Sequence, residues 1–171
     1  MSKRFKIVFG LALATCVLDQ ITKYLVVQSL AYHASVTVIP GFFNLVHVLN
    51  KGAAFGFLNR ADIIWQRFFF IGASLVAMGI IVYMAKTSLL ENKYHFVALG
   101  LILGGAAGNL ADRVRLGEVI DFLDVYLGDY HWPAFNVADS GISVGAFLLL
   151  AVYYRYDRKC RKEQAAAGRE K

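Results

Sequence analysis

The stretch FFFIGASLVAMGIIVYMA, Phe68 to Ala85, carries no charged side chain and is bracketed by Arg67 and Lys86. A membrane-spanning helix needs about 20 mainly apolar residues, with about 17–25 accepted. This stretch therefore reads as a span. Three further runs qualify: about 5–28, broken only by Asp19 and Lys23; about 94–111; and about 137–154, with Asp139 near its start. Four transmembrane helices in one membrane-embedded domain, residues 1–171, is the fold class they predict. Composition agrees. The 171 residues are 58% hydrophobic and 18% charged, with a mean hydropathy of +0.52. A water-soluble domain runs nearer about 45–50% apolar and about 25% charged. Disorder, collagen, coiled coil and a disulfide-rich secreted scaffold are excluded.

The formal net charge of +6 raises the question of nucleic acid, but ten of the eighteen Lys and Arg residues lie within the first six positions or from Arg155 onward. Basic ends orient a membrane protein, so no nucleic-acid partner is expected. Lys86 and Lys93 join the same side, between the second and third spans. Both termini are thus expected in the cytoplasm, with the loops at about 29–65 and 112–136 facing outward. The basic start followed by Leu13-Ala14-Thr15-Cys16 imitates a lipoprotein signal peptide. Thr15 fits that pattern poorly and the residues after Cys16 continue apolar, so the first span reads as retained. Cys16 and Cys160 have no partner at metal spacing, and neither a disulfide nor a zinc site is expected.

Ser35 to Ile39, the Pro40-Gly41 turn and Phe42 to Leu49 read as two strands, and Gly117 to Leu127 as another strand-like run. Such backbone cannot face lipid at hydrocarbon depth, because unpaired amides there are too costly. A small sheet at the outer interface follows.

Ionisable side chains in or near spans each need a reason. Asp19 and Lys23 stand four apart on one helical face, acid first, the better order for an intrahelical pair. Gly100, Gly104 and Gly108 recur every four residues, as do Gly141 and Gly145, and small residues at this spacing let helices approach closely. Close packing would fix the polar residues beyond them: Asn109, Asp112 and Arg113 on the third span, Asn136 and Asp139 on the fourth. Arg113 is placed to pair with a carboxylate across the interface.

Asp121 and Asp139 sit on different elements, each flanked by apolar residues. Two carboxylates sharing a site cannot both ionise readily; one can serve as general base while the other donates a proton. From spacing alone the alternative stands beside this: Asp139 as a helix cap and Asp121 as a strand-end surface acid. His33, His47, His95 and His131 show no metal-ligand spacing, and neither a G-x-S-x-G elbow nor a phosphate-cradling loop is present.

Five stretches then bring a family into view: Asp19-Gln20-Ile21-Thr22-Lys23, Asn50-Lys51-Gly52-Ala53-Ala54-Phe55-Gly56, Gly104 to Arg113, Gly117 to Phe122, and Phe135-Asn136-Val137-Ala138-Asp139. In this order on a four-span chain they resemble the bacterial lipoprotein signal peptidases (signal peptidase II), over nearly the whole length. The resemblance implies an aspartic peptidase of the bacterial inner membrane. Its substrate would be a diacylglyceryl-modified prolipoprotein, cut before the lipidated cysteine at the outer face. It places the catalytic pair on Asp121 and Asp139, and supporting roles on Asp19, Lys23, Asn50, Gly52, Asn109, Asp112, Arg113 and Asn136. It implies four helices with a small outer sheet, no metal or organic cofactor, the lipid bilayer as surroundings, and a monomer. Asn50, Asn109 and Asn136 are candidates to orient backbone or the tetrahedral oxyanion. Phe42-Phe43 and Trp132 are candidates to clamp substrate.

Two rival classes remain at this level. A small proton-coupled transporter or channel would place acids along the depth of the spans, whereas these lie toward the outer ends. A non-catalytic assembly protein would use the glycines and polar residues for helix packing alone.

Overall fold

The computed structural model describes residues 3–52, 64–90 and 92–167. In chain order these form α1 (Lys3–Ser29), β1 (Ser35–Ile39), β2 (Phe43–Asn50), α2 (Ile64–Thr87), α3 (Lys93–Arg115), β3 (Val119–Leu127), β4 (Tyr130–His131) and α4 (Val137–Ala167). All four helices are long and apolar enough to cross a membrane. The Ala53-Ala54-Phe55-Gly56 part of the second motif lies outside the described residues.

The helices overrun the expected spans at several ends. α2 begins four residues earlier than hydropathy alone suggests, and α3 continues to Arg115. α4 runs on through the basic tail, because RYDRKCRKEQAAA is rich in helix formers and carries the i,i+4 ion pairs Arg161–Asp157 (2.8 Å) and Lys159–Glu163 (3.8 Å). A hydropathy window sees only the buried-in-lipid part of such a helix.

α3 is the hub. Its glycine stripe faces α1: a Cβ on Gly104 would lie 2.5 Å from the Ala12 carbonyl oxygen, and one on Gly100 2.9 Å from that of Val8. On the α4 side, a Cβ on Gly105 would run into the Ala138 carbonyl oxygen, and one on Gly145 of α4 would lie 2.8 Å from that of Ala98. Helices in lipid associate by such close packing, since lipid tails are as apolar as leucine. Val8, Ala12, Ile81, Ala85, Phe96, Leu99 and Leu103 form a core where α1, α2 and α3 meet. Elsewhere the molecule is inside out: Leu13, Leu18, Val76, Phe147 and Leu150 face outward, while Asp19 and Lys23 are 0% and 1% exposed. An apolar exterior around buried charges suits lipid.

The four strands form one antiparallel run in the order β1-β2-β3-β4. β4 is an addition that the sequence reading did not mark. The two expected outer strands and the β3 run are present. The sheet stands at the end of the bundle where α1 and α3 finish and α4 begins, because the Ile120 N–H of β3 donates to Asp112 of α3 at 3.3 Å. Exposed Tyr32, Phe42, Tyr130 and Trp132 ring this end, and exposed Tyr153, Tyr154 and Tyr156 ring the other. Aromatic residues favour both membrane–water interfaces.

Candidate active site

Asp121 is the third residue of β3 and is 2% exposed, so it is no surface acid. The β2–β3 register jumps from Leu45↔Leu123 to Val48↔Asp121, which sets Val46 and His47 against Phe122 alone. A bulge of this kind bends a strand and re-aims its side chains. Past the bulge, Asn50 lies opposite Val119, diagonal to Asp121, and its Nδ2 donates to Asp121 Oδ2 at 2.9 Å. Asn50 is itself held, because the Gly52 N–H donates to its Oδ1 at 2.8 Å. Gly52 has φ +97°, which L side chains rarely adopt, and a Cβ there would lie 2.5 Å from the Phe70 ring.

Asp139 arrives by a different route. The Phe135 carbonyl accepts from the Phe122 and Leu123 N–H groups at 3.0 and 2.8 Å, which lays the approach to α4 alongside β3. Asn136 then caps the helix. Its Oδ1 accepts from the Asp139 N–H at 2.9 Å, while Asp139 Oδ2 accepts from the Asn136 N–H at 3.3 Å. This is a reciprocal capping box in Asn and Asp, so the helix-cap reading of Asp139 holds alongside its place in the site. Asn136 Nδ2 also donates to Asp121 Oδ1 at 2.7 Å. One neutral residue therefore touches both carboxylates, Asp121 through its side-chain amide and Asp139 through its backbone N–H. Asn109 Nδ2 completes the frame on Asp139 Oδ1 at 2.7 Å. All three asparagines direct their amide N–H groups onto carboxylates, so orienting the acids is their role in this arrangement, not offering a vacant oxyanion hole.

Beneath this lies a second carboxylate pair. Lys23 Nζ meets Asp19 Oδ2 at 2.8 Å, Asp112 Oδ2 at 2.7 Å and Asn109 Oδ1 at 3.0 Å, matching three donors with three acceptors. Asp19 Oδ1 accepts from the Ala138 N–H at 2.9 Å, a carboxylate at the start of α4 where the helix dipole favours it. The expected Asp19–Lys23 pair is thus real, fully buried, and linked to α3, α4 and β3. Gly108 makes room for it: a Cβ there would lie 2.6 Å from Asp19 Oδ2.

Arg113 does not form the carboxylate pair expected of it. Its guanidinium lies over the Phe70 ring, 5.2 Å from the centroid, and among the described residues it makes no ion pair. Phe70 thereby joins Arg113 to Gly52. Neither Phe70 nor Gln20 was singled out from sequence. Gln20 Nε2 donates to Asp112 Oδ1 at 2.9 Å, with Asp19 Oδ2 and the Gly108 carbonyl both at 3.2 Å. Its signal was present, an uncharged amide inside an apolar span and next to Asp19. Phe70, one aromatic among many, gave none. Trp132 and Phe42 stand exposed at the outer rim and not against the carboxylates.

Burial pushes the Asp121 carboxyl up to about 7, and the Asp139 charge adds to the rise; the Asn50 and Asn136 N–H groups pull the other way without overcoming it. Among the described residues no group of three His, Cys, Asp or Glu side chains is arranged to hold a metal ion.

Solved structures of bacterial membrane enzymes share this architecture. One, 33% identical in sequence, matches with a TM-score of 0.75 over 85% of each chain; another, 34% identical, gives 0.74 over 84% of this chain and 89% of its own. The fold is thus that of solved bacterial membrane enzymes. A family model for signal peptidase (SPase) II matches residues 11–155. The lipoprotein signal peptidase of Maridesulfovibrio salexigens is 52% identical over 145 residues, 85% of this chain and 93% of its own. That of Geobacter sulfurreducens is 46% identical, covering 93% of this chain and 98% of its own. The chain belongs to the signal peptidase II family and is a membrane peptidase, which sets aside the transporter and assembly-protein classes.

Proposed function

We propose that this peptidase removes the signal peptide from diacylglyceryl-modified prolipoproteins by aspartic catalysis at Asp121 and Asp139. One observation carries the reading: two carboxylates from separate elements are held by the same neutral residue, Asn136, Asp121 through its side-chain amide and Asp139 through its backbone N–H, with no cation paired to either among the described residues. Asp121 is the more buried, and with its carboxyl shifted to about 7 it holds the proton. Asp139, partly exposed, is reached by water and acts as the base. Asp139 takes a proton from water as the water oxygen bonds to the carbonyl carbon, and Asp121 gives its proton to the carbonyl oxygen. Collapse of that intermediate breaks the C–N bond: one hydroxyl returns its proton to Asp121 as the carbonyl re-forms, and the proton on Asp139 passes to the leaving amine of the lipidated cysteine.

The site lies at the end of the bundle opposite the basic termini. With both termini in the cytoplasm, cleavage takes place at the outer face of the inner membrane, where the substrate's lipid stays in the bilayer. Water with two carboxylates needs no cofactor. The deciding experiment incubates the purified protein, Asp121→Asn and Asp139→Asn with a diacylglyceryl-modified prolipoprotein. Cleavage by wild type alone is expected. Cleavage by all three would move the chemistry to other residues; none, beside a working reference peptidase, would remove the substrate assignment.

A further inference from the structure

The end of the bundle opposite the carboxylates holds a cavity of about 590 Å³. That is within the range of about 300–1,000 Å³ usual for small-ligand sites. It opens where the start of α1 meets the connection from α2 to α3. Lys3 and Arg4 of α1, Lys86 of α2 and Lys93 of α3 all line it. Among the described residues no carboxylate lines the cavity, and none pairs with these four cations. Glu91, in the same connection, lies outside the described residues.

The cavity has a built wall. Arg4 Nη1 donates to the Ser88 carbonyl at 3.2 Å and its guanidinium lies 5.9 Å over the Phe96 ring, which holds the start of α1 against the α2–α3 connection. Apolar groups stand among the charges: Ile7 and Phe96 line the cavity, and Leu89 beside them is 97% exposed. Depth supplies the next constraint. Lys93 and Asp112 are 19 residues apart on α3, about 28 Å at about 1.5 Å per residue, against a hydrocarbon core about 30 Å thick. With the carboxylate site at one interface, the four cations fall in the headgroup layer of the other.

We infer that this cavity binds the phosphodiester headgroup of an anionic phospholipid from the leaflet opposite the peptidase site. The cations from three helices meet the phosphate, and the acyl chains cover Leu89 and Ile7. A soluble phosphate would satisfy the cations and leave Leu89, 97% exposed, in water; the lipid accounts for both the charges and this side chain. Basic pockets between helices are suited to such headgroups.

The test uses the full chain in detergent, with native mass spectrometry and a titration against phosphatidylglycerol and phosphatidylcholine. Phosphatidylglycerol should be retained in preference. Lys86→Gln with Lys93→Gln should weaken it about tenfold or more, whereas Lys159→Gln with Lys162→Gln, which removes equal charge from the helical tail, should change it by less than about twofold. Among the described residues neither lysine of the first pair makes a hydrogen bond to the backbone that the fold would miss. Equal weakening by the two pairs would reduce the effect to diffuse surface charge and overturn the site. Indifference between the two lipids would also overturn it. So would full displacement of phosphatidylglycerol by inorganic phosphate, which would assign the cavity to a soluble anion. The readout is lipid binding, so it stands apart from any result on cleavage.

Discussion

Asp19 and Asp112 share a lysine, while Asp121 and Asp139 share only amides. The four carboxylates lie at the same end of one bundle. The lower pair is matched by Lys23, each oxygen occupied by an N–H or the ammonium. The upper pair has geometry without neutralisation: Asn50, Asn109 and Asn136 aim the oxygens and supply no charge. A cation in that position would drive both acids to ionise and remove the proton that general-acid chemistry requires. One pair builds the platform and the other is kept reactive on it.

The comparison breaks first at the upper pair. Asp121→Asn or Asp139→Asn should lower kcat/KM by about 10²–10⁴-fold, the usual weight of positioned acid–base groups, with the protein still folded. Cleavage kinetics beside a thermal melt would show it; a variant that loses its fold along with its activity would make the upper pair structural as well.

The lower pair should fail the other way. Lys23→Met strands two buried carboxylates, and breaking a buried pair by removing one partner costs about 3–5 kcal/mol. Loss of folded, inserted protein is the expected outcome in a detergent melt. A Lys23→Met protein of wild-type stability but no activity would place Lys23 among the reacting groups.

Gly108→Ala tests the link between helix approach and the lower pair. The new methyl meets Asp19 Oδ2, and overpacking of this kind costs about 1–3 kcal/mol. Gly10→Ala on α1, which meets nothing within 4 Å, is the control and should melt with the wild type.

The smallest effect is in pH. Since Asp121 must keep its proton to act as the acid, kcat/KM should fall as pH rises above about 7, approaching about tenfold per pH unit. Its folded-state value lies above the ordinary 3.8, so the folded state binds the proton more tightly than the unfolded chain does. The stability associated with it is therefore complete below about 4 and is lost as pH rises through about 7. Asp121→Asn lacks that loss, and its melting temperature should gain on the wild type between pH 4 and pH 8. A difference that stays flat over this range would mean that burial leaves Asp121 unperturbed.

Composition and period alone determined much here. Four long apolar runs, basic ends and glycines every four residues are one-dimensional signals, since a bilayer accepts only long apolar helices and a close crossing only small residues. The two outer strands were legible from β-branched and aromatic runs about Pro40-Gly41. The five motifs marked Asp121 and Asp139, though their spacing in the chain left a surface acid and a helix cap equally open. Tertiary structure decided which atoms meet. The β2–β3 bulge aims Asp121 inward, the Phe135 bridge delivers Asn136 and Asp139 beside it, and Lys23 goes to Asp112 as well as to Asp19. Gln20 and Phe70 join only there, and Arg113 turns to an aromatic ring where a carboxylate was expected. Hydrogen bonds between residues some 15 to 119 positions apart depend on backbone approach in three dimensions. No periodicity along the chain encodes them.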